Sequence, residues 1–105
     1  MQKYMVLYHA NPTNWPTDPK QILSILQGVV EGSEQLMKAG GLKEVGWFTP
    51  QAGYGIFEVE SKDKLFEMIA GFFPLYGQEI HEVVSWETAK EALLSAARMA
   101  VAASG

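Results

Sequence analysis

The sequence has no cysteine and one arginine, and both shortages exclude classes of function. Without cysteine there are no disulfides, no thiolate nucleophile and no zinc–cysteine site. Eight lysine and arginine residues against twelve acidic ones give a net charge of −4, and Arg98 is the only arginine. Because such a chain lacks the positive field that a phosphate backbone requires, no nucleic-acid partner is expected.

Long hydrophobic runs are missing as well. The first apolar run, residues 4–8, is too short for the core of a signal peptide. No stretch approaches the ~20 apolar residues of a membrane span. With 105 residues, of which 48% are apolar, the chain is expected to form one domain over residues 1–105. A cytoplasmic protein without a membrane partner is therefore the expectation.

Apolar periodicity and turn residues predict the order β-α-β-β-α-β followed by one more helix. Asp18-Pro19 and Ser61 are typical helix starts, and Gly40-Gly41 is a typical helix end. The second helix is expected to bury Leu65, Phe66, Ile69, Phe72 and Phe73 and to end at Pro74. The strands are predicted at residues 4–9, 42–49, 54–60 and 79–86, with a last helix over 87–101. This order is the ferredoxin-like α+β arrangement, with a four-stranded antiparallel sheet.

Two helices would cover one face of this sheet and leave the other face open. If Phe57 faces the helices, the alternation of a strand turns Tyr54 and Glu58 toward the open face. An open face that carries aromatic side chains should be covered, so two sheets are expected to pack face to face in a homodimer. The aromatic and histidine side chains expected on the open face, besides Tyr54, are Trp47, Trp86 and either Tyr8 or His9.

Two segments carry a resemblance to a known family. Residues 41–61 read GLKEVGWFTPQAGYGIFEVES, and residues 73–84 join Phe-Pro-Leu to the strand IHEVV ahead of a helix near Glu87. Over residues 4–95 the chain resembles small single-domain members of the dimeric α+β barrel superfamily, whose members include muconolactone isomerase and cofactor-independent monooxygenases. It departs from them at Pro74-Leu75, where Pro-Trp is usual, and near Ser85, where a proline is usual. The resemblance implies a homodimeric barrel with an internal pocket and no bound cofactor.

Three side chains are candidates for acid–base chemistry. Glu58 is the sharpest, because a carboxylate in a central strand beside aromatic rings could act as a general base. It could instead pair with Lys43 or face a wet lumen. His9 and His81, the only two histidines, lie on strands expected to be neighbours and could shuttle a proton. Strand parity argues against a metal site, and none is predicted.

Five aromatic residues are candidates for the wall of a pocket that takes a small hydrophobic or aromatic ligand. The loop over residues 11–19 is expected to be mobile, with its tryptophan able to cover the ligand. Isomerase or monooxygenase chemistry, non-catalytic binding or sensing, and a purely structural dimer all remain open. The five residues are Tyr8, Trp15, Trp47, Tyr54 and Trp86.

Overall fold

The computed structural model describes residues 1–72 and 75–105, which form an antiparallel sheet with helices on one face. The strands pair in the order β2-β3-β1-β4. The predicted ferredoxin-like α+β fold is confirmed. The elements are β1 (Gln2–Ala10), α1 (Pro19–Lys38), β2 (Leu42–Thr49), β3 (Ala52–Val59), α2 (Lys62–Ile69), a 3-10 turn (Ala70–Phe72), β4 (Tyr76–Val83) and α3 (Trp86–Ser104).

Polar caps set where the helices begin. The Asp18 side chain accepts a hydrogen bond from the backbone N–H of Lys20 at 3.1 Å, and the Ser61 hydroxyl accepts one from Lys64 at 3.2 Å. Each cap satisfies a backbone donor that has no partner inside the helix. The predicted starts of α1 and α2 are therefore confirmed. Gly40 follows α1 with a φ of 90°, a conformation that glycine adopts at little cost.

The core lies between the sheet and the two helices that cover it. On β1 and β3 the buried residues alternate with partly exposed ones, as expected when only one face of a sheet is covered. Phe57 faces the helices, so Tyr54, Ile56 and Glu58 lie on the open face as predicted. The main core cluster consists of Tyr4, Val6, Leu42, Phe57, Val59, Leu65 and Ile69.

Two sequence-based predictions, one about α2 and one about β4, are wrong. Phe66 belongs to the stripe expected to be buried, yet it is 66% exposed, because α2 turns Leu65 and Ile69 toward the sheet and Phe66 lies about 100° around the helix from Leu65. The last strand begins at Tyr76 and ends at Val83, three residues earlier at each end than predicted. The expected burial of Phe73 and the stop at Pro74 lie outside the described residues.

The C-terminal helix α3 stands apart from the rest of the molecule. It begins at Trp86, where the Ser85 hydroxyl accepts the backbone N–H of Thr88 at 3.2 Å. Trp86 is therefore on a helix and not on the last strand. None of the 19 residues of α3, all of them described, is buried, and the molecule measures 65 × 28 × 21 Å. Within the described part of the chain, no helix is long and apolar enough to cross a membrane.

Candidate functional site

An aromatic cluster lies between the sheet and the helices, at the end of β1. Tyr8 shares the helix-facing side of β1 with Tyr4 and Val6. Its ring stacks on Trp47 with centroids 6.4 Å apart and meets Tyr76 edge to face at 6.5 Å. Such arrangements are favourable for aromatic pairs beyond the area that they bury. Strands β1, β2 and β4 thus each contribute one ring to the centre of the cluster.

Trp15 and Phe72 complete the cluster from outside the sheet. Trp15 meets Tyr76 edge to face at 5.6 Å, and Phe72 lies 6.2 Å from Tyr8. The loop before α1 is held to the sheet by a hydrogen bond of 2.8 Å from the backbone N–H of Asn11 to the carbonyl of Leu75. In this position the loop covers one side of the cluster, and its role as a mobile lid stays a prediction.

Two glycines of β3 make room for the two central rings. A Cβ added at Gly53 would lie 2.9 Å from the ring of Trp47, and one added at Gly55 would lie 3.2 Å from the hydroxyl of Tyr8. Both distances are too short for an ordinary side chain to fit without movement. The alternating glycines therefore let Trp47 and Tyr8 lie flat against the middle of the sheet.

A cleft of about 340 Å³ opens beside this cluster, between α1 and β2. Its wall is almost entirely apolar, and Ser33 and Glu34 are its polar side chains. Deeper in, a space of about 10 Å³ reaches Tyr8 and Tyr76, which is room for about one water molecule. The residues of the cleft are Leu26, Val29, Val30, Ser33, Glu34, Met37, Val45, Trp47 and Pro50.

Two tyrosines, Tyr8 and Tyr76, line the small inner space beside the cleft. Tyr76 is 2% exposed, and its hydroxyl has no hydrogen-bond partner among the residues that the structure describes. Burial raises the pKa of Tyr76 and of Tyr8 above the usual tyrosine value. Like any tyrosine, both are protonated at neutral pH, so their hydroxyls can donate hydrogen bonds, and burial keeps them protonated to more alkaline pH.

The three candidates for acid–base chemistry lie on the other face of the sheet. Glu58 pairs with Lys3 in the register of β1 and β3, whereas His9 pairs with Ala52. Six residues of strand separate these positions, which corresponds to about 20 Å. The nitrogen Nε2 of His81 lies 2.9 Å from a carboxylate oxygen of Glu79. The structure therefore does not bring Glu58 and His9 together within one chain.

Glu58 is partly buried at one end of the open face. Its carboxylate makes no hydrogen bond or ion pair with any residue in the described ranges 1–72 and 75–105, so the alternative of an ion pair with Lys43 finds no support.

The ring of His9 lies over Gly77, where an added Cβ would be 2.8 Å from Nδ1. Across the described residues, no group of three or more histidine, aspartate or glutamate side chains could hold a metal ion.

The five predicted pocket residues divide between three places. Tyr8, Trp15 and Trp47 come together beside the cleft. Tyr54 lies on the open face, where its hydroxyl donates to a carboxylate oxygen of Glu44 at 2.6 Å, a bond that raises its pKa. Trp86 lies on α3 and is exposed. The expectation that Trp47 and Trp86 share the open face with Tyr54 is therefore wrong.

Tyr76 is the functional candidate that the sequence did not reveal. It lies outside the predicted last strand, since that strand was expected to begin only at Glu79. The sequence does hold one signal for an earlier start. Tyr76 lies three positions before Glu79, and it continues the series of every second residue that includes Gln78 and Ile80. Starting the strand there places the ring on the same face as Ile80, toward the helices.

Comparison with known proteins bears on the fold. No family model and no curated protein matches the chain. Among solved structures, the crystal structure of muconolactone isomerase matches with a TM-score of 0.60 and 19% sequence identity. The match covers 79% of this chain and 88% of that one. The fold is that of muconolactone isomerase. At this level of identity the likeness extends to the architecture and not to the site.

Proposed function

We propose that the protein binds a small, flat, apolar molecule that carries an oxygen acceptor, in the cleft between α1 and β2. The observation that carries the proposal is the buried hydroxyl of Tyr76, which has no partner among the described residues. A buried polar group without a hydrogen bond costs about 1–3 kcal/mol. A ligand oxygen that reaches from the cleft into the small inner space lined by Tyr76 would recover that cost.

The wall of the cleft supports a ligand of this chemistry. Its volume of about 340 Å³ falls in the range of small-molecule sites, roughly 300–1,000 Å³. The ring of Trp47 forms part of the wall and offers a surface for stacking. Apolar side chains from α1 supply the remaining contacts, so the ligand's affinity comes from buried apolar area and its orientation from Tyr76.

Isomerase or monooxygenase chemistry is the second candidate function, and Glu58 supports it. The muconolactone isomerase fold makes proton transfer on a small carbon acid a reasonable class of reaction. A partly buried carboxylate with no partner among the described residues suits a general base. Because Glu58, His9 and His81 share the open face, a second copy of the chain would have to enclose them. Within the cleft itself, Glu34 is the carboxylate available for the same role.

Ligand binding can be tested with aromatic lactones and quinols as probes, since Trp47 reports occupancy of the cleft through its fluorescence. We expect Tyr76→Phe to weaken the best probe about ten-fold, because it removes one hydrogen bond. The same variant should leave the ligand-free protein as stable or slightly more stable, since it also removes an unpaired hydroxyl. Affinities from fluorescence titration and urea midpoints measure the two effects.

The matched control is Tyr54→Phe, which removes a phenol from the other face of the sheet. Probe affinity should be unchanged in this variant. Equal probe affinity in Tyr76→Phe and the unmodified protein would contradict the proposed role of Tyr76. Quenching that persists when Trp15 and Trp47 are both replaced by Phe would show that the probe binds away from the cleft, because Trp86 lies on α3.

A homodimer packed through the open face is also part of the proposal. Met5, Leu7 and Ile56 form its apolar middle, with Met5 opposite Ile56 in the register. We expect a sedimentation mass of twice 11.6 kDa at micromolar concentration, and a monomer for Ile56→Glu, because a carboxylate would be buried without a partner. Lys62→Glu, at the exposed start of α2, serves as the charge-change control. A dimer that survives Ile56→Glu would rule out this interface.

A further inference from the structure

The surface of the molecule is too large for a compact chain of this mass. The accessible area is 7385 Å², whereas a folded monomer of 11.6 kDa exposes about 5,800 Å². The radius of gyration is 18.1 Å, against about 13 Å for a compact domain of about 100 residues. Helix α3 accounts for the excess, because all of it projects from the body and none of it is buried.

One side of helix α3 is apolar along most of its length. Four apolar residues of α3, beginning with Trp86, follow one another at intervals of seven, four and four residues. This spacing places them on one side of the helix. Most polar residues, among them Glu91, Ser95 and Arg98, occupy another side. Lys90 lies on the apolar side, four residues after Trp86, and pairs with Glu87 at 3.1 Å. A helix with an unpartnered apolar side is only marginally stable by itself. This apolar stripe, called the arm stripe below, consists of Trp86, Leu93, Ala97 and Val101.

Helix α1 has a second apolar stripe, beside its core-facing side and along the cleft. Val29 points into the core, while Val30 is 55% exposed. The exposed stripe runs the length of a 20-residue helix, about as long as the 19 residues of α3. Three of its four residues also line the cleft. This outer stripe consists of Leu23, Leu26, Val30 and Met37.

We propose that α3 of one copy packs along the outer stripe of α1 in a second copy and covers the mouth of its cleft. The stripes match in length. The excess surface of about 1,500 Å² per chain exceeds the roughly 800 Å² per partner of a standard protein interface.

The connection between β4 and α3 favours a second copy over the chain's own α1. Only Val84 and Ser85 separate the two elements. Strand β4 forms one edge of the sheet, and β2, beside which α1 packs, forms the other. Two residues are too few to carry α3 across the sheet to its own α1. The balanced charge of α3, with Lys90 and Arg98 against Glu87 and Glu91, also gives it no attraction to an anionic lipid surface.

Cross-linking between two singly substituted proteins tests this packing, since the chain has no cysteine of its own. Leu93 and Val30 both lie near the middle of their helices, so they approach one another whether the helices run parallel or antiparallel. Mild oxidation of a mixture of Leu93→Cys and Val30→Cys, one of them with a mass tag, should give a cross-linked heterodimer. We expect at least ten times the yield of the control pair.

The control pair is Met99→Cys with Val30→Cys. Met99 is 70% exposed, similar to Leu93 at 65%, but it comes six residues later and so points about 120° away from the arm stripe. Equal yields from the two pairs would overturn the inference. The inference would also be overturned if one chain that carries both Leu93→Cys and Val30→Cys formed the cross-link within itself at high dilution.

The outcome is separable from that of the open-face dimer. A wild-type dimer that dissociates with Ile56→Glu and gives no Leu93–Val30 cross-link would leave the open-face contact standing and overturn the packing of α3. A specific Leu93–Val30 cross-link in a protein whose dimer survives Ile56→Glu would support the packing of α3 and overturn the open-face contact. Ligand titrations are not needed for either result, because the contact between helices does not depend on an occupied cleft.

Discussion

Phe57→Ala should lower the free energy of unfolding by about 3–5 kcal/mol, the usual cost of removing a fully buried phenylalanine. Phe57 has no exposed surface and lies in the second half of β3, where it packs in the same core cluster as Tyr4 and Leu65. Domains of this size are commonly stable by only about 5–15 kcal/mol. A single substitution would therefore remove a large part of the total.

Urea unfolding followed by circular dichroism measures this effect. Phe66→Ala is the matched control, because it removes the same side chain from a position that is 66% exposed, and a change within about 0.5 kcal/mol is expected there. Similar losses in the two variants would mean that the core is not centred on β3. The site should suffer as well, since the space above Gly55 is bounded by the ring of Phe57 and the hydroxyl of Tyr8.

Alkaline pH should destabilise the protein steeply. Burial raises the pKa of Tyr8 in the folded protein, whereas the unfolded chain has the ordinary value of about 10. The contribution of Tyr8 to stability is complete below pH 10 and is lost as the pH rises from there toward the folded pKa. Each pH unit in that window costs up to about 1.4 kcal/mol. Tyr76 and Tyr4, whose pKa values burial also raises, act in the same direction.

The measurement is the urea midpoint at pH 8, 10, 11 and 12. Tyr8→Phe has no hydroxyl to ionise, so its stability should fall less between pH 10 and pH 12 than that of the unmodified protein. At pH 8 Tyr8 is protonated in both the folded and the unfolded state. The difference in stability between the two proteins there is therefore only the cost of the substitution itself. Parallel curves across the whole range would show that the hydroxyl of Tyr8 is accessible to water in the folded state.

The sequence predicts the fold well, because local signals and periodicity agree there. The caps Asp18 and Ser61 mark helix starts through their own side-chain hydrogen bonds. The alternation of β3 sets which of its side chains face the helices without reference to any other strand. In these places the physical cause lies within a few residues of its effect, so one sequence is sufficient.

The site is predicted less well, because it depends on pairing between distant strands. Along β2 the register shifts between Leu42 and Glu44, so Leu42 and Trp47 lie on the same face although they are five positions apart. Counting every second residue from Leu42 would therefore assign Trp47 to the wrong face of the sheet. For β1 the choice between Tyr8 and His9 depends on which face the helices cover, and only the pairing with β3 decides it.

The position of β1 in the sheet also affects how the chain folds. This strand is paired along both edges, with β3 on one side and β4 on the other, yet it precedes its partners by about 50 and 75 residues. Contacts so distant in sequence make folding slow. During synthesis, the apolar run at residues 4–8 leaves the ribosome long before either neighbour exists. A chaperone that shields this segment should therefore raise the yield of native protein more than one that acts after synthesis is complete.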